Sequence, residues 1–166
     1  MTLYFFDDES QNNYELGSNY LSGRELRLNY KRAHHYLELA AKAGHSQAQA
    51  DLGQMYAEGL GMSPDFEKAF KWFQESSKNG NPLGKYNLSV MYRGGYGVEK
   101  NELLEGFLLA QAANEGCDVA QYMRGVSYDP PQSDGDMAKA IYWYKKAAAQ
   151  GFEAAQERLD ALREDE

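Results

Sequence analysis

The sequence predicts an all-α fold of stacked antiparallel helix pairs, and three observations carry the prediction. The first is a period. Gly44, Gly80 and Gly116 stand 36 residues apart, Gly151 follows 35 later, and Tyr20, Tyr56, Tyr92 and Tyr128 also step by 36. A fixed spacing in this range marks supersecondary units that bury their faces against one another. The second is helical patterning inside each unit. Ala48, Leu52 and Tyr56 recur at i, i+4 and i+8, and Ala69, Trp72, Phe73 and Ser76 form a second stripe. The third is punctuation. GLGMSPD separates the two stripes, and its glycines and proline cannot continue a helix. Asp65 then stands as an N-cap, with Asn29, Asn101 and Asp136 as its equivalents, and Gly80 closes the second helix.

Each element has a local reason. The first helix of a unit carries Leu16-Gly17, Leu52-Gly53, Leu88-Ser89 and Arg124-Gly125 in turn. Small residues such as Gly53, Ala69, Ser76 and Ser77 let two helices approach closely, with Tyr56 and Trp72 filling the gaps. The run Ala48, Leu52, Gly53, Tyr56, Gly59, Gly61, followed by Asp65, Lys68, Ala69, Trp72, Phe73 and a closing Gly80, resembles the Sel-1-like repeat family, relatives of tetratricopeptide repeats. The match returns at Gly84, Tyr86, Leu88, Tyr92, Gly95, Gly97 and Val98, and again at Lys139, Ala140, Trp143, Tyr144, Ala147 and Ala148. With weaker copies it covers some nine tenths of the chain, from residue 11 onward. The resemblance implies a right-handed α-solenoid that acts as an adaptor for other proteins.

The expected organisation is a single domain, 1–166, with an N-terminal cap segment at 1–10, repeats at 11–44, 45–80, 81–116 and 117–151, and a C-terminal capping helix at 152–166. Leu3 to Phe6 form an aromatic cluster that either folds back over the first repeat or serves as a docking segment. Repeat three departs from the pattern. Glu105 stands where Ala33 and Ala69 do, Leu108 replaces Tyr36 and Trp72, and Gly106 lies mid-helix, so either the register slips or the helix is irregular. In repeat four Arg124 takes the leucine position and is expected to reach solvent or pair with an acid, since a buried unpaired guanidinium is costly. Its loop, YDPPQSDGD, is one residue shorter and holds paired prolines. The last helix shows an apolar stripe of Ala155, Leu159 and Leu162 under a charged outer face, as a solenoid cap needs. Glu164-Asp165-Glu166 are expected to fray.

The net charge is −8, with −4 in residues 1–22, −4 in residues 152–166 and a balanced middle. Nucleic acid is not an expected partner, because phosphate binding needs a basic footprint. The acidic ends either steer the chain to a basic partner or keep its terminal repeats soluble. No run of 18 apolar residues is present, so no membrane span is expected. The first residues lack the basic region of a secretory signal, and the expected location is cytoplasmic. Cys117 is the sole cysteine, which fits a reducing compartment. It reads as a partly buried small residue.

No catalytic constellation emerges. G-x-S-x-G, a P-loop and H-E-x-x-H are all absent. Gly94 to Gly97 read as turn glycines. His34 and His35 point about 100° apart on a helix and cannot readily share a metal, and His45 follows a repeat-closing glycine. No cofactor or metal is expected. By analogy with tetratricopeptide-like solenoids, the first helices line the concave face. Residues two before the leucine (Tyr14, Ala50, Tyr86, Tyr122) and two after it (Ser18, Gln54, Val90, Val126) are expected to project from it, with Arg93 and Asp129 at the edge. The expected binding residues are Gln54, Tyr86, Val90, Arg93, Tyr122, Val126 and Asp129.

The expected function is a monomeric, non-enzymatic interaction module. Its partner would be another protein of basic charge, such as a signalling component or a toxin held by a bacterial immunity protein. Two alternatives stand beside it. One is the β-lactam binding or hydrolysis described for cysteine-rich relatives, whose cysteines this chain lacks along with S-x-x-K and K-T-G. The other is a self-associating repeat unit.

Overall fold

The computed structural model describes residues 8–129 and 135–164. Among them are nine α-helices and no strand: α1 Asp8–Ser22, α2 Tyr30–Lys42, α3 Ser46–Glu58, α4 Phe66–Lys78, α5 Pro82–Gly94, α6 Glu102–Asn114, α7 Asp118–Tyr128, α8 Met137–Ala148 and α9 Glu153–Glu164. Each helix packs on the next, and the order α1·α2, α3·α4, α5·α6, α7·α8 repeats one hairpin four times. The chain is an all-α repeat solenoid in which α9 packs on α8. Leu3 to Phe6, Pro130-Pro131 and the last acids, Asp165 and Glu166, lie outside the described residues.

Caps set the boundaries. The side chains of Asn29, Asp65, Asn101 and Asp136 each accept a hydrogen bond from the backbone N–H three residues on, at 3.0–3.1 Å. Each satisfies a donor that the helix itself leaves unpaired. The second helices end on Gly44, Gly80, Gly116 and Gly151, whose φ values of 79–98° lie in the left-handed region. Nothing stands within 4 Å of a Cβ built at any of the four. Backbone conformation, not space, therefore demands glycine there.

Close approach explains the other recurring glycine. A Cβ on Gly53 would lie 2.6 Å from the Phe73 ring, and one on Gly125 would lie 2.5 Å from the Tyr144 ring. The core runs as linked clusters along the stack. Ala33, Leu37, Ala40 and Leu52 are fully buried in the first, and Ala140, Tyr144, Ala147 and Leu159 close the last.

The irregularity suspected in repeat three is absent. α6 is continuous, and Leu109, Ala112 and Ala113 are buried at the positions of Leu37, Ala40 and Ala41. Glu105 is half-buried, and Gly106 faces open space. Gly106→Ala should therefore raise stability by up to about 1 kcal/mol, through helix propensity and a less flexible unfolded chain. Urea unfolding would register a higher midpoint at unchanged slope; a lower midpoint would mean that the glycine has a packing role.

Arg124 also departs from expectation. Among the described residues its partners are aromatic rather than acidic. Nη2 donates to the Tyr128 hydroxyl at 2.8 Å, and the guanidinium lies 5.0 Å from the Tyr128 ring centre and 5.9 Å from that of Trp143. Aromatic faces attract a guanidinium as a flat, weakly hydrated cation.

Candidate functional site

Successive first helices touch directly, α3 with α5 and α5 with α7. They form one layer of the stack, which by analogy with tetratricopeptide-like solenoids is the concave one, and a strip of its side chains faces solvent. On α3 that strip is Gln47, Asp51, Gln54 and Glu58, a 4-3-4 spacing that keeps one helical face. The same register is Gln11, Glu15, Ser18 and Ser22 on α1, Leu83, Asn87 and Val90 on α5, and Val119, Met123 and Val126 on α7. The strip is polar and acidic over α1 and α3. It becomes largely apolar over α5 and α7, where each of these side chains is half-buried.

Of the residues expected from sequence, Gln54, Val90 and Val126 lie on this strip. Arg93 is exposed, and burial raises the Tyr86 hydroxyl against the opposing pull of the Arg93 charge. Tyr86 and Tyr122 are half-buried and face the next repeat. Tyr86 packs into the cluster that holds Cys117, and the Tyr122 ring lies 5.1 Å from Phe152 and 5.6 Å from Tyr144. Tyr14, in the same column, stacks on His45 at 4.2 Å, and Ala50 is buried. The column two before the leucine thus joins repeat to repeat.

Asp129 does not edge the groove. It is buried, it accepts from the Tyr144 hydroxyl at 2.9 Å, and both its oxygens bind the Arg158 guanidinium at 2.7 and 2.9 Å. The reason is local. Pro130 follows in the sequence and disfavours helical backbone at the preceding residue. α7 ends at Tyr128, and Asp129 adopts an extended ψ of 125° that turns its side chain towards α8 and α9. The Arg158 pair and the Tyr144 bond hold its carboxyl below the usual range.

Sequence reasoning passed over the groove carboxylates. Gln11 donates to Glu15 at 3.0 Å, Gln47 donates to Asp51 at 2.8 Å, and Gln54 donates to Glu58. No Lys or Arg pairs with any of the three among the described residues. On the second helices and their caps some acids are paired, and others, Glu67, Glu102 and Glu105, have no Lys or Arg partner among the described residues. Glu38, Asp65, Glu75 and Asp136 each meet a lysine at 2.7–3.0 Å. Burial pushes Asp51 up to about 6, against the pull of the Gln47 bond. Burial first, and then the charge of Asp51, raise the Tyr14 hydroxyl. The spacing Gln-x-x-x-Asp/Glu occurs at 11–15, 47–51 and 54–58 but also at 111–115, 132–136 and 156–160, so the sequence pattern alone does not single out the groove acids.

The remaining reactive groups have structural partners. His45 caps α3 by accepting from the Ala48 N–H at 3.2 Å, and its Nε2 meets Gln11 at 3.2 Å. His34 shares a 2.9 Å hydrogen bond with the Tyr56 hydroxyl, while His35 packs edge-on against Tyr36. Cys117 is buried, and burial pushes its thiol up, away from the thiolate that nucleophilic chemistry needs. Among the described residues no group of three or more His, Cys, Asp or Glu is placed to hold a metal, and no helix is long and apolar enough to cross a membrane.

The profile of the Sel1 repeat matches residues 13–45, 46–81, 82–117 and 118–152. No curated protein sequence matches the chain. Among solved structures, a Sel1 repeat protein from Oxalobacter formigenes is similar with a TM-score of 0.82 and 24% identity, over 92% of this chain and 61% of its own. The protective antigen c5321 of uropathogenic Escherichia coli, described as displaying an SLR fold, is similar with a TM-score of 0.69 and 28% identity, over 92% of this chain and 33% of its own. The chain therefore spans less than two thirds of either relative. The immunity protein Pa5087 from Pseudomonas aeruginosa is similar in fold, with a TM-score of 0.56 and 20% identity, over 90% of this chain and 69% of its own.

Proposed function

The chain belongs to the Sel1 repeat family, and from that membership we propose that it is a non-catalytic module that holds a partner protein on its concave face. Proteins built of Sel1 repeats generally mediate protein–protein interaction. The observation that carries the reading is the half-exposed apolar strip of Leu83, Val90, Val119, Met123 and Val126 on the first helices, of which Leu83, Val119 and Met123 rest against the cluster around Cys117 and Val126 against the last cluster, while each keeps part of its surface in solvent. An apolar patch rimmed by polar groups is the usual character of an interface core. Gln54, Val90, Arg93 and Val126 would touch the partner. Tyr86 and Tyr122 would shape the groove from behind, and Asp129 would act through the cap it secures. A reducing, cytoplasmic setting suits the single buried thiol.

One concrete form is an immunity protein that inhibits a basic toxin, for which the net charge of −8 provides electrostatic steering. The resemblance in fold to an immunity protein supports this form without naming the toxin.

The test is capture from native lysate by the tagged chain, with Val90→Asp plus Val126→Asp as the comparison and thermal unfolding to confirm that both fold. One stoichiometric protein partner, lost with the double variant, is the expected result. If that partner is a toxin, adding the chain abolishes its activity in vitro. A partner retained by the double variant would remove the concave face from the proposal. The absence of any stoichiometric partner would remove the interaction itself.

A further inference from the structure

We infer that the concave groove is built for a polarised segment of its partner, with a cationic stretch seated over α1 and α3 and an apolar stretch seated over α5 and α7. The inference rests on the concave-face reading above and adds the chemistry and placement of the occupant. Three facts argue for it. Glu15, Asp51 and Glu58 follow one face across two repeats, and each is hydrogen-bonded by a neutral glutamine amide instead of a cation. Such bonds orient a carboxylate while leaving its charge uncompensated, so a cation arriving from outside finds the acceptors already positioned. In the outer layer lysines meet Glu38, Asp65, Glu75 and Asp136, while Glu67, Glu102 and Glu105 have no such partner among the described residues. What the three groove acids share is that a glutamine amide orients each of them along one face.

The second fact is the change of character within one strip. The position of Asp51 is taken by Asn87 on α5 and Met123 on α7, and that of Gln47 by Leu83 and Val119. A uniformly basic occupant would leave this apolar half uncovered, and a uniformly apolar one would bury Asp51 with the Gln47 amide but no counter-charge, at substantial cost. The third is the burial of Asp51 itself, which lifts its proton affinity in the empty groove. A lysine or arginine beside it would reverse that effect and so bind with more than surface strength. A second copy of this chain is a poor occupant, because residues 1–22 and 152–166 each carry −4 and would meet like charge.

The spacing defines the segment. α3 and α7 are two helix spacings apart, roughly 9 Å each. An extended chain advances about 3.3 Å per residue, so about six residues separate the cationic stretch from the far end of the apolar one.

A random-peptide display library panned on the intact chain tests this. Enriched sequences should carry a Lys/Arg cluster about six residues from an apolar cluster. A synthetic peptide of that kind should lose about 10-fold or more in affinity for a Glu15→Gln, Asp51→Asn, Glu58→Gln variant, by fluorescence anisotropy. It should bind an outer-layer control, Glu67→Gln with Glu75→Gln, unchanged. Enriched sequences without excess basic residues, no enrichment at all, or equal affinity for the neutralised groove would each overturn the inference. Basic-free binders that still fail on Val90→Asp with Val126→Asp would overturn the polarity and leave the concave site standing. Binders indifferent to both groove variants would remove the concave site as well.

Discussion

Asp129→Ala is expected to lower the unfolding free energy by about 2–3 kcal/mol and to loosen the last helix before the rest of the solenoid. One buried carboxylate holds three elements. It sits at the end of α7, accepts from the Tyr144 hydroxyl on α8 and binds Arg158 on α9 through two hydrogen bonds. Removing it leaves the Tyr144 hydroxyl, on a residue 1% exposed, without that acceptor. It also unpairs a guanidinium whose side chain is 36% exposed, so water recovers part of the loss. Tyr144→Phe removes only the hydroxyl and should cost about 1 kcal/mol.

The effect depends on pH in one direction. The carboxyl titrates below its ordinary value because Arg158 and Tyr144 favour the charged form. Its stabilisation is therefore fully present above the unfolded carboxylate value near pH 4 and is lost as pH falls from there through the folded value. Urea unfolding at pH 7 and pH 3, with amide exchange followed in α9, checks both points. The wild-type chain should lose more stability than the variant on acidification. Equal losses, or full protection of α9 in the variant, would show that the contact does not staple the cap.

Leu52→Ala is expected to cost about 3 kcal/mol, while Leu16→Ala, at the same repeat position, should cost less than about 1 kcal/mol. Leu52 is 0% exposed and sits in the first cluster with Leu37 and Met55. Truncating it removes transfer free energy and opens a cavity that its neighbours fill only in part. Leu16 is 38% exposed, so it has far less burial to lose. Truncation costs in proportion to the apolar surface a side chain had buried, so the exposed leucine is worth less than the buried one. Parallel chemical denaturation of the two variants reads the difference directly. Similar losses would show that the N-terminal repeat is covered as well as the interior ones.

These two leucines mark the limit of what a repeat pattern conveys. Period, caps and closing glycines were legible because each is a local requirement. Asn29, Asp65, Asn101 and Asp136 cap their helices as their positions predict. The repeat-closing glycines take the left-handed backbone that only glycine adopts without strain. The strip was half legible. Counting from the leucine places Val90 and Val126 on the strip, but the same count selected Tyr86 and Tyr122, which pack against the following repeat, and Val126 itself also touches the last cluster. Counting along one helix cannot say which flank meets a neighbour, because the superhelical rotation between units is not a property of any single unit.

Arg124 and Asp129 make the same point through charge. Their spacing suggested a solvent-facing or acid-paired cation and a groove-edge acid. In the folded chain the cation lies against Tyr128 and Trp143, and the acid is turned inward to Arg158, 29 residues away. The sequence by itself determined that this protein is a stack of paired helices, because helix propensity, capping and period are written in residues close together in the chain. Only the tertiary structure decided which acids are neutralised and which are left facing the groove, because that depends on cations brought near, or kept away, by the packing of distant repeats.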